Sequence, residues 1–222
     1  HFTSRDLNTM GLQARLVGYW ANGIHNVILV TGDPPKMAPS YPPSTAVYDL
    51  TSVDLIRLVN NGLNAGVDFG GQALGKHADP RTRFTIGTGF EPESLDLTAE
   101  IEKLTRKIEA GADYIMTQPA FAWEPLEVLS EVRQSVPVLV GVLVLTSLDH
   151  ALRMRQVPGV VVPEAVLDRF GQSDDRASQA QVGRDLAAEQ IRRIQSEEWA
   201  GVYLMSPASH DPVIDVLRAG LT

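Results

Sequence analysis

Cysteine is absent from all 222 residues, which removes any disulfide framework and every thiolate metal site. An excess of basic charge is lacking too. Against 27 Asp and Glu stand 19 Lys and Arg, a formal net charge of −8 with a pI near 5.1, so no basic face is available to displace phosphate counterions and nucleic acid is not an expected partner. The negative charge reads as a contribution to solubility. No apolar run approaches the roughly 18 residues that would span a bilayer, so no membrane partner is expected. The opening HFTSRDLN has neither a basic n-region nor an apolar h-region, and a cytoplasmic protein is expected. A G-x-G-x-x-G turn between a strand and a helix is missing as well; GTGFEP shares two glycines with that fingerprint and nothing else. His25, His77 and His150 have no companions at ligand spacing, so no metal is assigned.

What is present is a hydrophobic content of 44%, enough for a real core, and a repeating grammar consistent with one domain over 1–222. VILVTGD, RFTIGTGFEP (83–92), ADYIMTQP (112–119), VLVGVLVLTS (138–147) and AGVYLMSP (200–207) are short apolar runs that close on Gly, Thr, Ser or Pro. They read as strands buried on both faces, as in parallel sheets. Between them lie segments of helical period. Leu97, Ile101, Leu104 and Ile108 form one stripe, Leu126, Leu129 and Val132 another, and 176–199 reads as a long amphipathic helix with Val182, Leu186, Ile191 and Ile194 on its apolar side. Alternating strand and helix is the α/β pattern of a doubly wound sheet or a TIM barrel. The missing glycine fingerprint disfavours the first. The polar residues just past the carboxyl ends of several strands favour the second, because barrels assemble their sites there. Five strands plus the fragment HFTS are countable against the eight of a barrel, so the first two βα units are expected to be absent from this sequence.

The set HFTSRDLN, GIHNVILVTGDPPK, VYDLTSVDLI, KIEAGADYIMTQPAF and GVYLMSP, in this order and spacing, resembles methylenetetrahydrofolate reductase from His1 to about Leu217. The pattern is similar to the reductase module of bacterial bifunctional proteins that fuse it to a homocysteine S-methyltransferase module. The resemblance implies a TIM (β/α)8 barrel holding FAD, in which hydride passes from NAD(P)H through FAD to 5,10-methylenetetrahydrofolate and gives 5-methyltetrahydrofolate. The donor is written NAD(P)H because no strand-two acid or basic phosphate cluster selects between the two forms. A homo-oligomer is expected, since exposed helical faces of barrels pair. The rival is a non-catalytic folate- or flavin-binding barrel module of a larger methyltransferase protein.

The resemblance also implies roles for single residues. Asp33, after VILVTG, matches the aspartate beside flavin and pterin; a carboxylate there can accept from an aminopyrimidinone ring and tune the flavin electrostatically. Gln118, in MTQP, matches a glutamine that binds folate, and an amide can both donate to and accept from a pterin edge. For FAD the matching positions are His1, Thr3, Thr31, Gly32, Asp33, Thr51, Ser52, Phe90, Glu100, Lys103, Arg106 and Lys107. Thr51 and Ser52 fall at a helix start whose free N–H groups suit a phosphate, and Glu100 and Lys107 lie two turns apart on one helical face. Charges on a helix otherwise read as a solvated face.

Departures accompany the match. Thr31 replaces an arginine common in single-function relatives, and Ser4 a frequent cysteine. Leu148 stands where some relatives carry a stacking aromatic, and Pro207 where an arginine holds the folate glutamate, with His210 as the nearest substitute. The glutamate that protonates folate N10 has no match, because His1 already aligns with the family's third strand; the chain alone is therefore expected not to complete the reaction. Glu91 is the residue to consider next if the acid lies inside it.

Overall fold

The apolar runs become six short strands because β-branched and long aliphatic side chains fit a pleated surface covered on both faces. The computed structural model describes residues 1–37, 44–75, 79–157, 159–173, 175–206 and 211–221. The chain divides into two compact units, one comprising 1–89 with 101–114 and the other 90–100 with 115–222.

In the first unit β1 (Phe2–Thr3), α1 (Thr9–Ala21), β2 (Asn26–Val30), α2 (Ser52–Asn61) and β3 (Thr85–Phe90, up to Gly89) follow in order, and residues 101–109 of α3 (Leu97–Glu109) belong to it. Each strand runs parallel to the one before it: Thr3 pairs with Val30, and Val27 with Ile86. The core gathers Phe2, Leu12, Leu16, Leu29, Leu55, Ile56 and Ile86. Local chemistry sets the boundaries. Asn8 caps α1 by accepting from Gly11 N–H at 2.9 Å, and α3 ends where Gly111 turns left-handed with φ +110° against the Asn60 side chain, a position with no room for a Cβ. Asn64 fixes the approach to β3, accepting from Thr82 Oγ1 at 2.7 Å and Phe84 N–H at 2.9 Å while donating to Phe84 O at 3.0 Å.

In the second unit β4 (Tyr114–Pro119), β5 (Val138–Leu143) and β6 (Gly201–Met205) are parallel neighbours in chain order. Two short helices, α4 (Leu148–Met154) and α5 (Glu164–Gly171), precede α6 (Arg176–Ser196), and α7 (Asp211–Gly220) packs on α6. The expected helix through Leu126, Leu129 and Val132 is instead two 3₁₀ segments, Glu124–Leu129 and Val132–Gln134. The three apolar residues sit at intervals of three, which is the 3₁₀ period rather than 3.6, and Pro125 at the first turn removes a donor. Side-chain ties hold this connection. Glu197 accepts from Trp123 Nε1 at 2.7 Å and Arg193 Nε at 2.8 Å, and the Arg193 guanidinium lies 4.3 Å from the Trp123 ring centre. On α6, Ile191 and Ile194 are buried as expected, but Val182 and Leu186 are only half-buried, and the close contact is made by Gly183, Ala187 and Ala188. A Cβ on Gly183 would overlap the Leu145 carbonyl just past β5.

Gly183→Ala sets two effects against each other. Alanine gains up to about 1 kcal/mol in helix propensity, whereas overlap with a main-chain oxygen that no rotamer relieves costs about 1–3 kcal/mol. The second wins, and thermal denaturation should show a lower Tm; an unchanged or higher Tm would mean that α6 does not seat on the Leu145 carbonyl.

Glu93, on the segment after β3, has both carboxylate oxygens buried. Burial pushes its carboxyl up, and the main chain of Val161 and Ala122 pulls the other way. An acid that holds its proton more tightly when folded loses stability as pH rises through the ordinary glutamate range, and the penalty is complete above the folded value. Glu93→Gln should therefore raise Tm at about pH 8 and leave it little changed at about pH 4. Equal changes at both pH values would contradict a buried, ionisation-penalised carboxyl.

Candidate functional site

The chain after β2 is Thr31-Gly32-Asp33-Pro34-Pro35. Gly32 has φ +88°, and a Cβ there would lie 3.0 Å from the Thr3 side chain, so the turn accepts only glycine without strain. Two prolines follow and donate no N–H, so side chains from elsewhere in the first unit tie down the carbonyls of the turn. Tyr48 Oη donates to Gly32 O at 3.1 Å, and Arg5 Nη1 donates to Asp33 O at 2.9 Å. Tyr48 itself has φ +50°, a left-handed conformation that non-glycine residues rarely adopt. The Asp33 carboxylate is exposed at the end of this fixed turn.

Arg5 is aimed by Asp6. Its Nε and Nη2 donate to the two Asp6 carboxylate oxygens at 2.6 and 3.0 Å, and Thr3 Oγ1 donates to the same carboxylate at 3.1 Å. The Arg5 hydrogen bond holds the Asp6 carboxyl below its usual range, with Thr3 adding to it. Such an accessible pair adds little stability; what it supplies is orientation, since the planar fork fixes where Nη1 points.

α2 opens on a capped N-terminus. The N–H groups assigned to a phosphate at Thr51 and Ser52 are engaged. Thr51 and Asp54 form a capping box, with Thr51 Oγ1 donating to Asp54 at 2.6 Å and Asp54 N–H donating to Thr51 Oγ1 at 3.2 Å; Ser52 N–H donates to Thr31 Oγ1 at 3.2 Å. The Thr51 hydroxyl holds the Asp54 carboxyl below its ordinary range, so an acidic group already occupies the positive end of this helix. Thr51 is exposed and Ser52 buried.

On α3 two of the four charged residues do not belong to a solvated face. Glu100 is 7% exposed and Lys107 4%, while Lys103 is half-buried and Arg106 exposed. The Lys107 ammonium donates to Gly89 O, near the carboxyl end of β3, at 2.6 Å. Phe90 is 1% exposed. His1 is exposed and Thr3 half-buried at the ends of β1.

In the second unit Gln118 is exposed near the end of β4. Its direction is set by a register shift between Met116 and Pro119 relative to β5. Thr117 Oγ1 accepts from Gly141 N–H at 2.8 Å and donates to Gln118 O at 2.9 Å, and a Cβ on Gly141 would strike the carbonyls of Thr117 and Gln118. This is the behaviour of a bulge that re-aims one side chain. Glu91 is half-buried, with its carboxylate beside Gly159. Leu148 is half-buried against the core that holds Phe170. His150 is buried and its Nδ1 accepts from Thr146 N–H at 3.2 Å; burial lowers its affinity for a second proton. His25 packs on Trp20 with ring centres 4.2 Å apart. Pro207, His210 and His77 lie outside the described residues.

Sequence reasoning missed Arg5, Asp6 and Tyr48. The adjacent Arg-Asp directly after a strand end was the available signal for the first two; nothing local marks Tyr48. Hydroxyls, a glycine turn and a buried ammonium in the first unit suit a phosphate-bearing, polar-edged molecule. Among the described residues no cluster of His, Asp and Glu could hold a metal ion, and no helix is long and apolar enough to cross a membrane.

Residues 1–218 match the family model of methylenetetrahydrofolate reductase. Methylenetetrahydrofolate reductase 2 of Saccharomyces cerevisiae is 24% identical over 205 residues, 87% of this chain and 31% of that protein. The 5,10-methylenetetrahydrofolate reductase of Escherichia coli K12 is 24% identical over 202 residues, 89% of this chain and 61% of that protein. A solved structure of an uncharacterized Clostridium thermocellum protein that binds two copies of 5-methyl-5,6,7,8-tetrahydrofolic acid shares 14% identity at a TM-score of 0.44, over 62% of this chain and 52% of that one. The chain thus spans between about one third and three fifths of the length of these two curated relatives. With its α/β order of parallel strands and its match across nearly every residue, the chain belongs to the methylenetetrahydrofolate reductase family, whose fold is the TIM barrel.

Proposed function

We propose that this chain serves an enzyme that reduces 5,10-methylenetetrahydrofolate to 5-methyltetrahydrofolate with NAD(P)H, using FAD. The observation that carries the reading is Asp33: in a chain of this family, an exposed carboxylate stands at a strand end on a turn whose two carbonyls are tied by Arg5 and Tyr48.

The donor set fits FAD. Thr3, Thr31 and Thr51 offer hydroxyls, Gly32 offers backbone without a side chain, and Lys103 and Lys107 offer positive charge. His1, Ser52, Phe90, Glu100 and Arg106 complete the proposed contacts. When bound, FAD supplies the two-electron carriage of hydride from the nicotinamide to the folate. The chain's own residues bind and orient. Asp33 accepts from the N–H groups of the pterin, and because it is a carboxylate each such bond is roughly twice as strong as a neutral one. Its negative charge also stabilises positive charge developing on the folate as the methylene carbon becomes electrophilic. Gln118, aimed by the bulge at Thr117, donates to and accepts from the pterin edge. Lys107, held on the Gly89 carbonyl, brings a fixed positive charge toward an anionic group.

The two half-reactions separate these roles. Asp33→Asn keeps shape and removes charge, so it should slow the folate half-reaction about tenfold or more, the value of a lost charged hydrogen bond, while reduction by NAD(P)H changes little. Gln118→Ala should raise the folate concentration for half-saturation and spare reduction. Stopped-flow measurement of both steps decides it; equal losses in the two would place Asp33 at the flavin alone, and unchanged folate kinetics in Gln118→Ala would remove that residue from the site.

A further inference from the structure

We infer that Arg5 is a positioning residue for folate recognition, acting through Asp33; this rests on the role given to Asp33 above. The turn has little rigidity of its own. Pro34 and Pro35 have no N–H, and Gly32 sits at φ +88°, a conformation of the one residue type that resists bending least. Left alone, the Gly32–Asp33 segment would sample several directions for the Asp33 side chain. Arg5 Nη1 on the Asp33 carbonyl at 2.9 Å and Tyr48 Oη on the Gly32 carbonyl at 3.1 Å remove that freedom at two successive peptide groups.

Arg5 can do so because its other donors are committed. Asp6 takes Nε and Nη2 in a side-on fork, and Thr3 holds Asp6. The Arg5 main chain is fixed as well, since its carbonyl accepts from Val47 N–H at 2.8 Å, in the residue before Tyr48. The two clamps therefore share one scaffold. The negative charge of Asp33 also contributes, after Asp6 and Tyr48, to holding the proton on Arg5. Lysine in place of Arg5 would keep the charge and one donor to the Asp33 carbonyl but lose the fork.

The test is a double-mutant cycle on the full-length, FAD-loaded protein, read as the dissociation constant for 5-methyltetrahydrofolate by titration calorimetry. Arg5→Met should weaken binding about tenfold in the wild-type background and less than about twofold in Asp33→Asn, because a positioning residue has nothing left to position there. Arg5→Lys should recover part of the loss. Tyr48→Phe, which deletes one hydroxyl, gives the same pattern at smaller size and serves if Arg5→Met does not fold. Equal losses in both backgrounds would overturn the inference, leaving Arg5 as general scaffolding. If Asp33→Asn alone leaves folate binding unchanged, the role of Asp33 fails first and the inference with it; a weakened Asp33→Asn with an unaffected Arg5→Met overturns the inference alone.

Discussion

Everything proposed for the first unit depends on how a buried parallel strand gives up its ladder. β2 hands over to Thr31, Gly32 and Asp33 and then to two residues without N–H groups, so the turn cannot build its own hydrogen-bonded geometry. Its oxygens are met from outside instead: Ser4 reaches the Thr31 carbonyl at 3.5 Å, Tyr48 that of Gly32 and Arg5 that of Asp33. The result is an exposed carboxylate on a main chain whose carbonyls are held. Preorganisation of this kind means that the ordering is done on folding rather than on binding.

The same logic operates in the second unit with different parts. Gln118 is re-aimed by a one-residue disturbance of the β4 ladder, and the disturbance is accommodated because Gly141 leaves room for two carbonyls and Thr117 satisfies the displaced N–H. In both places glycine supplies the space and a hydroxyl or guanidinium supplies the tie. Charge is treated similarly on α3, where Lys107 is buried against a strand-end carbonyl rather than left in water. A buried ammonium costs free energy unless partnered, which argues that its place reflects more than surface solubility.

Much of this was legible in the sequence. Five of the six strands follow from short apolar runs that end on Gly, Thr, Ser or Pro, β1 falls on the fragment HFTS, and α3 and α6 follow from their periodicity. The failures have physical causes. Leu126, Leu129 and Val132 suggested an α-helix, but spacing of three with Pro125 in the first turn belongs to 3₁₀ geometry. Glu100 and Lys107 could not be told from solvated charges, since periodicity reports which face is apolar and not whether a polar residue is partnered within the core. Thr51 and Ser52 marked the helix start correctly, but the capping box that Thr51 closes with Asp54, three residues on, was not read. Arg5 and Tyr48 act on residues 28 and 16 positions away, beyond the reach of local pattern.

The central claim is that this family member moves hydride from a nicotinamide to a folate, and anaerobic titration of the purified, FAD-supplemented full-length protein tests it most directly. NADH or NADPH should bleach the visible flavin band, and 5,10-methylenetetrahydrofolate added afterwards should restore it with formation of 5-methyltetrahydrofolate in equal amount. A protein that takes up no flavin, or whose reduced flavin is not reoxidised by the folate, would contradict the account.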